Sequence, residues 1–284
     1  MPRVGIVTDS TCDLPPEQFV ALGVEMVPLT VHIGDEHFRD WVDIGPEEFY
    51  RRLAFAPVLP TTSQPSPAAF GEAYDALAAQ GVQEIVTITL SAALSGTYES
   101  ATLAAKSSRV PVRVVDGKLA SHGTTLAVKA AVEARDAGLD AAAVEQRAIE
   151  TARATQLFFL LDTLDYLVKG GRAGKATGLA ASLLNIKPVL RINEDGIIEP
   201  FRKVRGRQQA VETLARHVAE DSRTLGRLRL CLLHAHLTDE ADELEAALVS
   251  AGADIEIESR GVIGSVIGTY TGPGAVGLAY YPLG

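Results

Sequence analysis

The sequence predicts an α/β protein of two lobes, a mainly parallel sheet with flanking helices in residues 1–160 and a smaller mixed α/β lobe in residues 161–284. Three observations predict it. Short β-branched runs alternate with segments of helical period through the first half, the pattern of βαβ units. The junctions between them are rich in Gly, Pro, Ser and Thr. Composition then shifts near Gln156, and Glu194-Asp195-Gly196 between two apolar runs signals an antiparallel hairpin.

Taken in order, Val4–Thr8 reads as the first strand and Asp9-Ser10-Thr11 as its turn. Pro15-Pro16 suits a helix start, where a missing N–H leaves no bond unmade. Val24–Ile33 reads as one extended stretch, and Gly45-Pro46-Glu47-Glu48 opens a short helix with acids at its positive end. Pro60 to Pro67 reads as a polar loop. A helix follows, capped by Ser66, with apolar residues at 69, 70, 73, 74 and 77 and a stop at Gly81. Glu84–Leu90 is expected as a strand, Ser91–Gly96 as a turn, Thr97–Lys106 as a helix and Val112–Val115 as a strand. Two alanine-rich helices, about His122–Ala137 and Asp140–Ala154, complete the first lobe. The second lobe begins with strand Phe158–Leu161 and a short helix, Thr163–Lys169, stopped by Gly170-Gly171. Lys187–Asn193 and Ile197–Val204 form the hairpin. A helix near Gln208–Asp221, a strand Leu228–His234, a helix Thr238–Ser250 and C-terminal strands follow.

Composition narrows the function. Apolar residues make up 47% of the chain, and the mean hydropathy is +0.13. That is enough for a sizeable core with some area left to line a cavity. No apolar run reaches the roughly 18 residues that span a bilayer, and Met1 to Val7 lacks a signal-peptide layout. A cytoplasmic location is therefore expected. The net charge of −10 argues against nucleic acid, which needs a dense basic face, and against an anionic membrane surface. Cys12 and Cys231 form no CxxC or metal-type spacing and read as buried or half-buried, reduced thiols. A small molecule or a protein partner remains.

Two serine- and threonine-rich turns stand out. Thr62-Ser63-Gln64-Pro65-Ser66 precedes a helix, where free backbone N–H groups point outward. Thr89 to Tyr98 leaves the C-terminal end of a parallel strand and enters a helix through Ser91, Ala92, Ser95 and Gly96, with Ser95 the expected N-cap. Such turns can hold an anion by neutral donors and the helix dipole; each alone equally fits an ordinary capped loop. Tyr270-Thr271-Gly272-Pro273-Gly274-Ala275-Val276-Gly277 contains GxGxxG, but no βαβ unit follows it, so the glycines read as sharp turns or close approaches. Lys169 to Thr177 resembles a P-loop and fails, because Ala176 follows Lys175. It leaves a basic loop that Lys203, Arg205 and Arg207 extend, fit either for solvent or for an acidic partner. His234-Ala235-His236 lacks a third metal ligand, Asp162 and Asp165 show no sign of acid–base tuning, and no GxSxG or HExxH is present. No metal is expected. An enzymatic reading survives only as an alternative, a hydrolase or transferase of small carboxylates or phosphates. Ser95 would be its nucleophile and His122 or Asp116 its base.

In combination the motifs resemble the DegV family. Thr8-Asp9-Ser10-Thr11, Thr62-Ser63-Gln64-Pro65, Leu94-Ser95-Gly96-Thr97-Tyr98, Asp162 to Leu167 with Lys169-Gly170-Gly171-Arg172, Lys203-Val204-Arg205 and Thr271-Gly272-Pro273-Gly274 occur in the family's order, making residues 4–282 one such domain. The resemblance implies a non-catalytic lipid-binding subunit of bacterial fatty acid kinase. It would enclose a long-chain fatty acid such as palmitate, with no cofactor. A separate ATP-binding subunit would phosphorylate the carboxylate for phospholipid synthesis, and a transient membrane contact is compatible with that role. By position, Thr62 and Ser95 would hold the carboxylate, with Ser63, Ser91, the Ala92 amide, Gly96, Tyr270 and Thr271 close by. Arg172, Lys203 and Arg205 would serve kinase docking. Ala92 stands where the family often has a second serine, and Tyr270 where it commonly has histidine. A phenol donates one hydrogen bond but carries no positive charge at neutral pH. The resemblance thus implies a head group held by neutral donors, and a tail whose methylenes each contribute roughly 0.8 kcal/mol on burial.

Overall fold

The computed structural model describes residues 3–182, 187–235 and 238–283. Its N-terminal half supplies strands β1 (Val4–Asp9), β2 (Val24–Val27), β3 (Thr30–Ile33), β4 (Glu36–Arg39), β5 (Thr61–Ser63), β6 (Glu84–Thr89) and β7 (Val112–Asp116). Between and after them lie helices α1 (Pro16–Leu22), α2 (Pro46–Leu53), α3 (Pro67–Ala79), α4 (Thr97–Ala105), α5 (His122–Asp136) and α6 (Ala141–Ala154). β2-β1-β6-β7 form a sheet in which every neighbour is parallel. The expected single stretch from Val24 to Ile33 is in fact two strands. Pro28, which has no N–H to donate, falls between them. β2 stays in the parallel sheet, while β3 joins a separate antiparallel sheet, β4-β3-β5. The expected polar loop at 60–67 therefore contains a strand, β5.

The C-terminal half supplies β8 (Gln156–Leu160), α7 (Asp165–Lys169), a 3-10 helix (Gly174–Ser182), β9 (Lys187–Ile192), β10 (Ile198–Val204), α8 (Arg207–Leu225), β11 (Leu228–His234), α9 (Thr238–Ser250), β12 (Ile255–Val262), α10 (Ser265–Thr271) and β13 (Val276–Pro282). The mixed sheet runs β10-β9-β8-β13-β11-β12, with β11–β12 its parallel pair. β8 pairs with β9 and β13, so residues 156–160 are built into the C-terminal sheet. α10 lies just ahead of the glycine-rich turn and takes in its first residues, Tyr270 and Thr271, where the sequence suggested only strands and that turn. Gly272, at φ +75, ends that helix where a side chain would run into the Tyr166 ring.

The layers follow from where apolar faces point. Phe70, Tyr74 and Leu77 of α3 and Ala101 and Ala104 of α4 pack on one face of the parallel sheet. Val211, Leu214 and Val218 of α8 and Leu244 and Leu248 of α9 cover the outer face of the mixed sheet. Between the sheets lie α5 and α6. α5 touches β1 and β6 on one side and β11 and β13 on the other, and it is buried without a break from His122 to Val128. Its small residues suit a helix with sheets on both sides. The strand period sorts β8: Leu157 and Phe159 face this central core, while Phe158 and Leu160 face α8 and α9.

Candidate ligand-binding site

An apolar cavity runs through the central core, with ≈ 760 Å³ of unfilled space counting its mouth. The mixed sheet gives it Leu157 and Phe159 from β8, Ile192 and Ile198 from the β9–β10 hairpin and Leu233 from β11. Leu29, Leu90 and Ala120 come from the parallel-sheet side, and Ile263, Val266 and Ile267 from α10 and the turn before it. Polar wall is scarce. Thr62, Ser95, Ser121, Arg172, Tyr270 and Thr271 supply it.

Thr62 and Ser95 therefore reach the same cavity from separate segments. Thr62 is on β5, paired with the fully buried Val31, which turns its side chain inward. Its Oγ1 lies 2.6 Å from the Tyr270 hydroxyl on α10. Ser95 Oγ lies 2.9 Å from Thr97 Oγ1. Ser95 is not the N-cap of α4; that position belongs to Gly96, one residue later, and has no side-chain cap bond. Thr271 bonds back to the Ile267 carbonyl, 3.1 Å away.

Arg172 is the residue whose placement differs most from expectation. The head group was expected among neutral donors, with Arg172 on a docking surface. Instead Arg172 is half-buried, lines the cavity and stacks its guanidinium 4.9 Å from the centre of the Tyr270 ring. It donates to the carbonyls of Gly170 (2.9 Å) and Leu94 (3.3 Å), so backbone holds its charge in the cavity wall. The stacking signal was not legible, since Tyr270 and Arg172 are distant in sequence. Lys203 and Arg205 are exposed and have no ion pair among the described residues.

Other expected neighbours are committed elsewhere. Ser91 is buried and donates to the Gly196 carbonyl (2.9 Å), tying the tip of the β9–β10 hairpin to the first sheet. The Ala92 amide donates to Asp116 (3.0 Å), and the Gly96 carbonyl accepts from Gln64 (3.0 Å). Ser63 points away from Thr62, its hydroxyl 3.1 Å from His32 Nε2. Neither candidate base attends Ser95. Asp116 also accepts from the Lys118 amide (3.0 Å). His122 is buried beside Gly261, and burial together with Lys129 pushes its pKa down to about 4. Cys12 and Cys231 are free and buried, as expected. His236 of the His234-Ala235-His236 pattern lies outside the described residues.

Sequence reasoning missed a polar nest under the cavity floor. Ser121, which lines the cavity, donates to Asp13 (2.5 Å), and Asp40 accepts from the Ser265 amide at the start of α10 (3.1 Å). Both carboxyls are buried. Burial, and then the charge of Asp40, lifts Asp13 well above the usual carboxylate range, while burial raises Asp40 to about 7. Ser121 is held at φ +51, a conformation rare for a residue with a side chain.

Comparison with known proteins decides the family. The DegV family model matches residues 3–283. The chain belongs to the DegV family. A DegV domain-containing protein of Streptomyces coelicolor is 38% identical over 280 residues, 97% of each chain. A DegV relative from Thermotoga maritima, named a fatty acid-binding protein, is 35% identical, covering 97% of this chain and 96% of its own. Among solved structures, a DegV family protein from Thermus thermophilus described as fatty acid binding superposes with a TM-score of 0.93. It shares 34% identity over 99% of this chain and 100% of that one.

Proposed function

We propose that this DegV protein binds one long-chain fatty acid, with the tail in the cavity between the sheets and the carboxylate at its mouth. The observation that carries this reading is an apolar wall that ends in Thr62, Ser95, Tyr270 and Arg172. A carboxylate buried without partners is costly; here two hydroxyl pairs can turn protons toward it, and a guanidinium offsets its charge. Family relatives described as fatty acid binding support the same reading. The test is to denature the purified chain, extract it with organic solvent and look for a stoichiometric acyl carboxylate by mass spectrometry. Added palmitate at a hundredfold excess over Kd should stabilise the delipidated chain by about 2.7 kcal/mol. Neither acyl carboxylate nor a Tm shift would sink the reading.

We further propose that the chain is the acyl-carrying partner of a separate ATP-binding kinase, which phosphorylates the presented carboxylate. Support comes from the half-burial of Thr62, Ser95, Arg172 and Tyr270 beside an apolar lining that is mostly fully buried, and from exposed Lys203 and Arg205 on an otherwise acidic protein. Lys203→Glu with Arg205→Glu should suppress acyl-phosphate formation with the cognate kinase while leaving palmitate affinity intact. Hydrolysis by Ser95 is the weaker reading, because its hydroxyl pairs with Thr97, Asp116 accepts from the Ala92 and Lys118 amides, and His122 is buried against Gly261.

A further inference from the structure

On the solvent face of the β4-β3-β5 sheet, His32 and His37 sit directly opposite one another on antiparallel strands. Their rings meet edge to face with centroids 4.6 Å apart, and the two Nδ1 atoms are 2.6 Å apart. That is shorter than the ~2.7–3.2 Å usual for an N–H donor. Two ring nitrogens brought this close share a positive centre between them, a proton carried by either ring or a cation in its place. The second observation lies at the other end of the His32 ring, where Nε2 is 3.1 Å from Ser63 Oγ on β5. When Nε2–H donates to that hydroxyl, the tautomer in which His32 can bind a cation, Nδ1 is bare and aimed at His37. Proteins orient ligating histidines in this way.

We propose that His32 Nδ1 and His37 Nδ1 chelate a divalent cation of the imidazole-preferring class, Zn²⁺ or Cu²⁺, with Ser63 orienting His32. Bonds of about 2.0–2.1 Å at a tetrahedral angle would hold the two nitrogens roughly 3.3 Å apart. The pair opens to that spacing by small side-chain rotations, since His37 is exposed and His32 only half-buried. Among the described residues no group of three or more His, Cys, Asp or Glu is placed to hold a metal. Water takes the remaining positions, and affinity falls below that of a closed four-ligand site. Successive strand residues point to opposite faces, so the ion sits on the face of the β4-β3-β5 sheet opposite the one that carries Thr62. The site does not depend on the fatty acid.

Titration calorimetry of the tag-free full-length chain with ZnCl₂, and separately with CuSO₄, tests the site. One ion per chain is expected. His32→Ala or His37→Ala should each weaken it at least tenfold, and Ser63→Ala by roughly tenfold as loss of an orienting partner, with circular dichroism unchanged. No uptake of either ion at millimolar concentration overturns the proposal. So does uptake that the two histidine variants leave unaltered.

Discussion

Thr62 and Tyr270 hydrogen-bond to each other across 2.6 Å, and either proton can swing to an anion. A hydrogen bond to a charged group is worth about 1.5–3 kcal/mol. Thr62→Val and Tyr270→Phe should therefore each weaken palmitate binding by roughly 10–100-fold in a fluorescence displacement assay, with little change in Tm. The buried acids give the second residue-scale prediction. Burial raises Asp40 from an ordinary 3.8 to about 7, so the folded chain keeps a proton that the unfolded chain releases. Stability from this group is complete below pH 3.8 and is lost as pH climbs through about 7. Tm measured from pH 5 to pH 8 should fall, and Asp40→Asn should flatten that fall. None of this was legible in the sequence, where Asp13 and Asp40 are ordinary polar letters. Their burial depends on α10 arriving from the far end of the chain.

At the scale of elements, β8 separates packing from binding within consecutive residues. Phe158 is fully buried against α8, and Phe159 faces the cavity. Phe158→Ala should cost about 3–5 kcal/mol in urea denaturation. Phe159→Ala should cost less and shift the preferred acyl length or branching, read by mass spectrometry of the retained acids. The β9–β10 hairpin offers a second contrast. Gly196 is at φ +77 and packs against the Ser91 hydroxyl, so Gly196→Ala should cost about 1–3 kcal/mol in strain, seen as a lower Tm. Its Asp-Gly turn was readable beforehand, as was the cap at Ser66, whose side chain accepts from the Ala69 amide. Those signals are local. β5 and α10 were not readable, because a three-residue strand and a seven-residue helix exist through their neighbours rather than through their own propensity. The candidate site inherits that asymmetry: both hydroxyl turns were visible, whereas Arg172 required the fold to bring it against Tyr270.

At the scale of the whole molecule, the two-lobed α/β plan and the parallel sheet in the first half were legible from alternation alone. The sequence did not reveal that α5 and α6 serve both sheets. An alanine-rich helix gives no clue that its second side is also covered. That arrangement makes the lobes unlike separable modules. If the chain were divided after Thr155, between α6 and β8, and each fragment produced alone, the first would expose the greasy flank of a helix pair. The second would expose the inner side of its sheet. Fragments made separately should precipitate, and the same fragments made in one cell should co-purify as a nicked but intact particle. During synthesis this chain should thus stay unfinished and sticky until β13 slots between β8 and β11 and seals it.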